Sequence, residues 1–139
     1  MIVDAKDLIL GRMATNVAKK ALLGESIDIV NCEKAIIVGS KKNIFEKYKI
    51  KANRGGPFHG PFLPKMPDRF VRRIIRGMLP YKQYKGREAF KRVMCHISVP
   101  NQFKDKKAEK IKDADISRIK TLRYTTVGDV CKFLNGKEW

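Results

Sequence analysis

Four arginines, Arg69, Arg72, Arg73 and Arg76, stand at spacings i, i+3, i+4 and i+7. On a helix turning about 100° per residue they form a single stripe. Guanidiniums stay protonated, so such a stripe does no acid–base work. It grips planar oxyanions through paired N–H groups. The only acid near that side is Asp68, at the start of the stripe. A polyanion would neutralise it, and RNA or DNA phosphate is the usual candidate.

A stripe needs a carrier. Phe70, Val71, Ile74, Ile75 and Met78 fall on the opposite side of residues 68–78 and make an apolar face. Pro67 and Asp68 suit a first turn, and Gly77 with Pro80 closes the helix. Residues 81–86 read as a linker carrying Lys82 and Lys85. Residues 87–92 read as a short helix whose Arg87, Lys91 and Arg92 give a second basic edge. Upstream, residues 54–67 hold four prolines and three glycines, which exclude regular structure. That loop places Phe58 and Phe62 among Arg54, His59 and Lys65. Exposed aromatic and basic residues of this kind stack on bases and contact phosphate. The competing reading has the prolines brace the loop while the phenylalanines tuck into the core.

Charge segregation supports an electrostatic footprint. Residues 1–40 carry five basic and five acidic side chains, a net of zero. Residues 41–92 carry sixteen and three, a net of +13, and residues 93–139 carry ten and six, a net of +4. Solubility alone calls for no such concentration in the middle third. A length of 139 residues with 43% hydrophobic content suits one domain, residues 1–139, with a core over about 1–100 and a charged C-terminal extension over about 101–139. Cys32, Cys95 and Cys131 form no CxxC pair, and their odd number suits a reducing compartment. No run is long enough to span a membrane and the N-terminus reads as no signal peptide, so a cytoplasmic protein is expected.

The first third sets up the scaffold. Residues 2–4 are a candidate strand. Leu10, Met13, Ala14, Val17, Ala18, Ala21 and Leu22 recur at helical spacing, with Lys19 and Lys20 near the helix end and Gly24 as its stop. Arg12 lies near the start of that helix. It either salt-bridges to Asp4 or Asp7 or touches RNA, the second reading being favoured. Residues 26–31 alternate as a strand, and 35–38 form a short apolar run as in a buried strand. Strand, helix, strand suggests a βαβ unit and a parallel sheet. The link 32–34 is too short for a helical crossover, so strand 35–38 is either antiparallel to its predecessor or displaced from it. Ser40 is a candidate N-cap for a helix over 41–51, whose five lysines fit a solvated face as well as a binding one. Residues 94–99 read as a last strand ended by Pro100. Residues 101–120 read as a solvated tail or a surface arm. Thr126-Val-Gly-Asp129 resembles a capping box before a helix that Gly136 ends.

An RNA-modifying enzyme and a DNA-binding protein are the rival readings. The sequence has no GxGxxG after a strand, no phosphate-binding GxxxxGK[ST] and no metal-ligand spacing. Cys95 and His96 are strand neighbours that point to opposite faces, not a nucleophile and its base. The carboxylates of the first third are read as balancing local lysines. No helix-turn-helix or zinc-finger pattern appears. No cofactor, metal or small-molecule substrate is expected.

Several motifs together resemble the universal ribosomal protein L-thirteen family of the large subunit. They are Arg76-Gly-Met-Leu-Pro80 followed by Lys82, Gly86 and Ala89; Leu10-Gly-Arg-Met-Ala14 with Val17-Ala-Lys19; and Val30-Asn-Cys-Glu-Lys34 with Ile37-Val-Gly39. Arg54-Gly-Gly-Pro-Phe-His59 is similar to the Arg-Gly-Pro-(Phe/Tyr)-His loop of archaeal and eukaryotic members, with one extra glycine, Gly55 or Gly56. Tyr124-Thr-Thr-Val-Gly-Asp129 and the ending Lys-Glu-Trp139 resemble archaeal members. The resemblance implies a non-catalytic protein that binds large-subunit rRNA, adjoins other large-subunit proteins and supports early assembly. It implies an α/β fold, a three-layer α/β/α sandwich on a mostly parallel four-stranded sheet. It also implies that Arg69, Arg72, Arg73, Arg76, Lys82, Lys85 and Arg87 face rRNA together with the loop 54–59.

Overall fold

Short β-branched runs and two long amphipathic stripes dictate the architecture. It is seen in a computed structural model that describes residues 1–135 and Lys137. Gly136, the expected helix stop, and the ending Glu138-Trp139 lie outside the described residues. Strand β1 (Ile2–Asp4) leads through helix α1 (Leu10–Leu22) to β2 (Ile27–Val30), and the two strands pair in parallel. This is the expected βαβ unit. Leu10, Met13, Ala14, Val17, Ala18 and Ala21 are buried, as the spacing requires. Gly24 ends the helical region at a φ of +105°, a conformation that glycine adopts without strain.

The third strand departs from the four-stranded sheet. Asn31 turns the chain at a φ of +55°, and Cys32–Lys34 forms one 3₁₀ turn. Strand β3 (Ile36–Val38) emerges outside the parallel sheet. It pairs antiparallel with β5 (Tyr124–Thr126), Ile36 opposite Thr126 and Val38 opposite Tyr124. The parallel sheet has three strands in the order β1-β2-β4, with β4 (Val93–Cys95) beside β2. The molecule is therefore a mixed α/β fold with a three-stranded parallel sheet and a separate antiparallel pair. The three-residue link, too short for a crossover, accounts for the displacement.

Strand β4 begins at Val93 and ends at Cys95, where a strand over 94–99 was expected. Ser98 turns the backbone at a φ of +55°, and its N–H donates to the buried Glu33 carboxylate at 3.1 Å. Glu33 thus holds a turn and lies only 3.9 Å from Lys34. Two of the other early carboxylates have partners other than the expected lysines. Asp28 faces His96 at 3.1 Å, and Asp4 accepts from Asn31 Nδ2 at 2.8 Å.

Helix α2 (Lys41–Ala52) starts after Ser40, whose side chain makes no capping bond; the Ser40 carbonyl accepts from Ile44 instead. Helix α3 (Pro67–Met78) has proline in its first turn. Its Phe70, Val71 and Ile75 are buried, Ile74 is half-buried and Met78 is exposed, so the apolar face is narrower than its spacing suggests. Gly77 lies inside this helix, and Pro80 follows its end. Helix α4 (Tyr84–Lys91) begins three residues earlier than expected. Helices α1, α3 and α4 pack together, with α3 and α4 against β4. Helices α2 and α5 (Val127–Asn135) pack on each other and on β5. The Asp129 N–H donates to Thr126 Oγ1 at 3.1 Å, which makes the forward half of the expected capping box. The charged segment 101–120 is an arm of three 3₁₀ turns lying against β1. Glu109 bonds both ways with β1, and Ala114 is fully buried.

Candidate nucleic-acid interface

Burial of Phe70, Val71 and Ile75 leaves the arginine stripe facing outward on a fixed helix. Arg69 and Arg76 are exposed, and Arg72 and Arg73 half-buried. Their placement depends on aromatic neighbours from the following segment. The Arg72 guanidinium lies 4.6 Å from the Phe90 ring centre, and that of Arg76 lies 5.3 Å from Tyr81. Tyr81 and Phe90 meet edge to face at 5.6 Å and 90°. They form one shelf that holds two cations by their flat faces. Sequence reasoning missed both residues, since only the tertiary fold sets them under the stripe. The available signal was aromatic residues just downstream of the arginines.

Glycine makes that shelf possible. A Cβ on Gly86 would sit 2.2 Å from the Pro80 carbonyl oxygen. Only the bare backbone lets α4 press against the turn that carries Tyr81. Arg73 plays a different part. Its Nη1 donates to the Phe62 carbonyl and so ties loop 54–67 to α3. Arg72 Nε is buried with no hydrogen-bond partner among the described residues.

None of the four arginines makes an ion pair among the described residues. Asp68, their nearest acid in the sequence, is half-buried. The stripe is thus electrostatically uncompensated. A hollow of about 220 Å³ is lined by the four arginines together with Phe62, Pro64 and Phe90. A second, of about 320 Å³, lies between α2, the loop and α3, and Arg73 lines both.

In the loop, Phe58 is 90% and Phe62 68% exposed, so neither tucks into the core. Arg54, His59 and Lys65 are exposed beside them. Of the two adjacent glycines, Gly55 is the constrained one. It has a φ of +84°, and a Cβ there would lie 1.7 Å from the Gly60 oxygen, whereas Gly56 has open space.

Lys82, Lys85 and Arg87 are exposed on the turn and α4. Lys91 and Arg92 already have partners. Lys91 pairs with Glu88 at 2.8 Å, and half-buried Arg92 donates to the Ala21 carbonyl at 3.4 Å. Arg12 is exposed and makes no ion pair with Asp4 or Asp7 among the described residues. One turn along, Thr15 reaches Met78 Sδ at 3.4 Å, so this end of α1 lies beside the end of α3.

The cysteines are buried thiols. A hydrogen bond with Cys95, reinforced by burial, pushes the Cys32 thiol far up. Burial, with help from Asp68, pushes Cys131 up to about 12. Thiols held protonated in this way are poor nucleophiles at neutral pH. His96 turns to Asp28 and leans on Phe103, away from Cys95, as strand alternation requires.

The family described as Ribosomal protein L13 matches residues 1–102. The large ribosomal subunit protein uL13 of Methanococcoides burtonii is 41% identical over 136 residues, 98% of either chain. That of Methanopyrus kandleri is 44% identical over 135 residues, 96% of this chain and 85% of its own. That of Haloarcula marismortui is 39% identical over 140 residues, all of this chain and 94% of its own.

Proposed function

The chain belongs to the ribosomal protein L13 family, and from that premise we propose that it binds large-subunit rRNA through α3, loop 54–67 and the exposed cations of α4. The family is one of structural proteins of the cytoplasmic large ribosomal subunit, and this chain is not an enzyme. The observation that carries the rRNA reading is the stripe Arg69, Arg72, Arg73 and Arg76, in which Arg72 and Arg76 rest on an aromatic shelf and none has an acid paired to it among the described residues. Each guanidinium replaces counterions on a phosphate, and rigid anchorage on a buried helix lowers the ordering cost of each contact. Contacts of this kind position RNA and demand little base readout. Lys82, Lys85, Arg87, Arg54, His59 and Lys65 extend the same surface, and Arg12 flanks it.

The protein's role is architectural. By holding phosphates from separate rRNA segments on one rigid element, it favours the folded RNA during early subunit assembly and abuts neighbouring large-subunit proteins. The test is binding to large-subunit rRNA fragments and to duplex DNA of equal length across a salt series. A steep salt dependence with preference for a folded rRNA fragment is expected. Arg72→Glu and Arg73→Glu should each weaken rRNA binding and shallow the salt slope without unfolding the domain. Equal affinity for DNA and RNA, or normal binding by both variants, would sink the reading.

A further inference from the structure

The larger hollow lies beside the arginine stripe but differs from it in chemistry. Its volume is about 320 Å³, within the range of ligand pockets. Much of its lining is apolar, from Leu63, Pro61 and half-buried Ile74. Tyr48 and the cations Lys51, Arg54 and Arg73 also line it. No acid is among the lining residues. Lys51 is drawn in over Tyr48 at 5.5 Å, and Tyr48 is fixed by a tilted contact with Phe70 at 5.0 Å.

A phosphate would gain little from the apolar part of this lining, because burying a charge against apolar carbons is costly. A flat heteroaromatic ring with a charged backbone attached suits both parts. We propose that this hollow receives one unpaired nucleobase of the bound RNA, with the flanking phosphates on Lys51, Arg54 and Arg73. This rests on the rRNA-binding reading above and adds to it a single-nucleotide subsite. RNA offers such bases at bulges and loops, where an unstacked base lies against an aromatic ring or an arginine plane. Arg73 joins this site to the stripe, since it lines the neighbouring four-arginine hollow as well. The phosphate backbone can therefore run along the stripe while one base turns inward.

Gly77 supplies a probe that leaves every charge in place. It lines the hollow, and an added Cβ meets no heavy atom within 4 Å. Gly77→Leu should fill the space, and leucine in place of a helical glycine favours the helix. We expect Gly77→Leu to keep or raise the melting temperature and to bind large-subunit rRNA about tenfold more weakly with an unchanged salt slope. A second measurement uses the free, isotopically labelled protein. Adenosine monophosphate should move the amide resonances of Leu63, Ile74 and Gly77, whereas ribose 5-phosphate, which lacks the base, should not.

Wild-type affinity in Gly77→Leu would overturn the proposal, as would equal shifts from the two small molecules, which would mark a phosphate site. Should wild-type protein fail to prefer rRNA over DNA, the rRNA-binding reading falls by itself. The mononucleotide comparison would still decide whether the hollow takes a base.

Discussion

Helices α1 and α3 are built on the same plan and end in different roles. Each buries an apolar stripe against the other and exposes the opposite side. On the outer side of α1, Thr15 and Asn16 bond back to the Gly11 and Arg12 carbonyls, and its three cations, Arg12, Lys19 and Lys20, stand towards the two ends rather than in one stripe. On the outer side of α3, four guanidiniums stand within two turns and no acid among the described residues pairs with them. Like charges at i, i+4 spacing oppose helix formation by a few tenths of a kcal/mol per pair. The stripe thus runs against the helix that carries it, and the aromatic shelf and the buried face offset the cost. An arrangement that works against local stability, yet is held rigidly, is what a binding surface requires.

The comparison breaks most completely through the buried face. Ile75 is fully buried, whereas its neighbour Ile74 is half-buried and lines the larger hollow. Ile75→Asp should cost about 4 kcal/mol or more, since the carboxylate finds no partner there. Ile74→Asp should cost clearly less, because its carboxylate can reach water. Thermal melts of the two variants check the order; equal melting would mean that the two faces of α3 are drawn wrongly.

Next in size is the glycine behind the shelf. Gly86→Ala places a methyl 2.2 Å from a backbone oxygen, so the turn at Pro80 must move. A loss of about 1–3 kcal/mol is expected, as for overpacked sites. Gly77→Ala, a helical glycine with open space around it, should instead stabilise by about 0.5–1 kcal/mol. If both alanines stabilised, α4 would not be pressed on that turn.

Removing the shelf alone separates position from charge. Phe90→Leu keeps all four arginines but takes away the ring under Arg72. Cation–π loss at a partly exposed site is worth about 0.5–1 kcal/mol. We therefore expect a few-fold weaker affinity for rRNA and an unchanged salt slope, in contrast to the shallower slope of Arg72→Glu. Affinity indistinguishable from wild type would show that the guanidinium needs no shelf.

What was legible in the sequence follows from how local each cause is. The stripes of α1 and α3 lie within single turns of one helix, so spacing alone placed Met13, Val17, Phe70 and Ile75 correctly. The βαβ unit followed from order and length. Strand β3 is only three residues long and finds its partner in Tyr124–Thr126, far along the chain. No periodicity in so short a run reports that pairing, and the family resemblance pointed to a four-stranded sheet. The short link 32–34 did carry the right warning. At the candidate interface, the basic residues were visible because charge is read directly from composition. The shelf of Tyr81 and Phe90 and the close approach at Gly86 were not, because they exist only after α4 folds back on the turn.

The smallest effect expected is at Lys91, and it sharpens the contrast between paired and unpaired cations. Its ammonium bonds Glu88 one turn earlier, in the open, and this bond holds the Glu88 carboxyl below its ordinary value of 4.5 and the Lys91 ammonium above its own of 10.5. Any help the pair gives to folding is present above the ordinary carboxyl value and fades as pH falls through the lowered one. It also fades as pH rises through the raised lysine value. Exposed pairs of this kind contribute little, so Lys91→Ala should leave the melting temperature at pH 7 unchanged. Because Glu88 already neutralises this cation, Lys91→Ala should also reduce the salt slope of rRNA binding by less than Arg69→Ala, which removes an exposed and unpaired charge worth about one unit of slope. If the two alanines reduced the slope equally, pairing within the protein would not decide which cations meet phosphate, and the contrast between α3 and the end of α4 would rest on position alone.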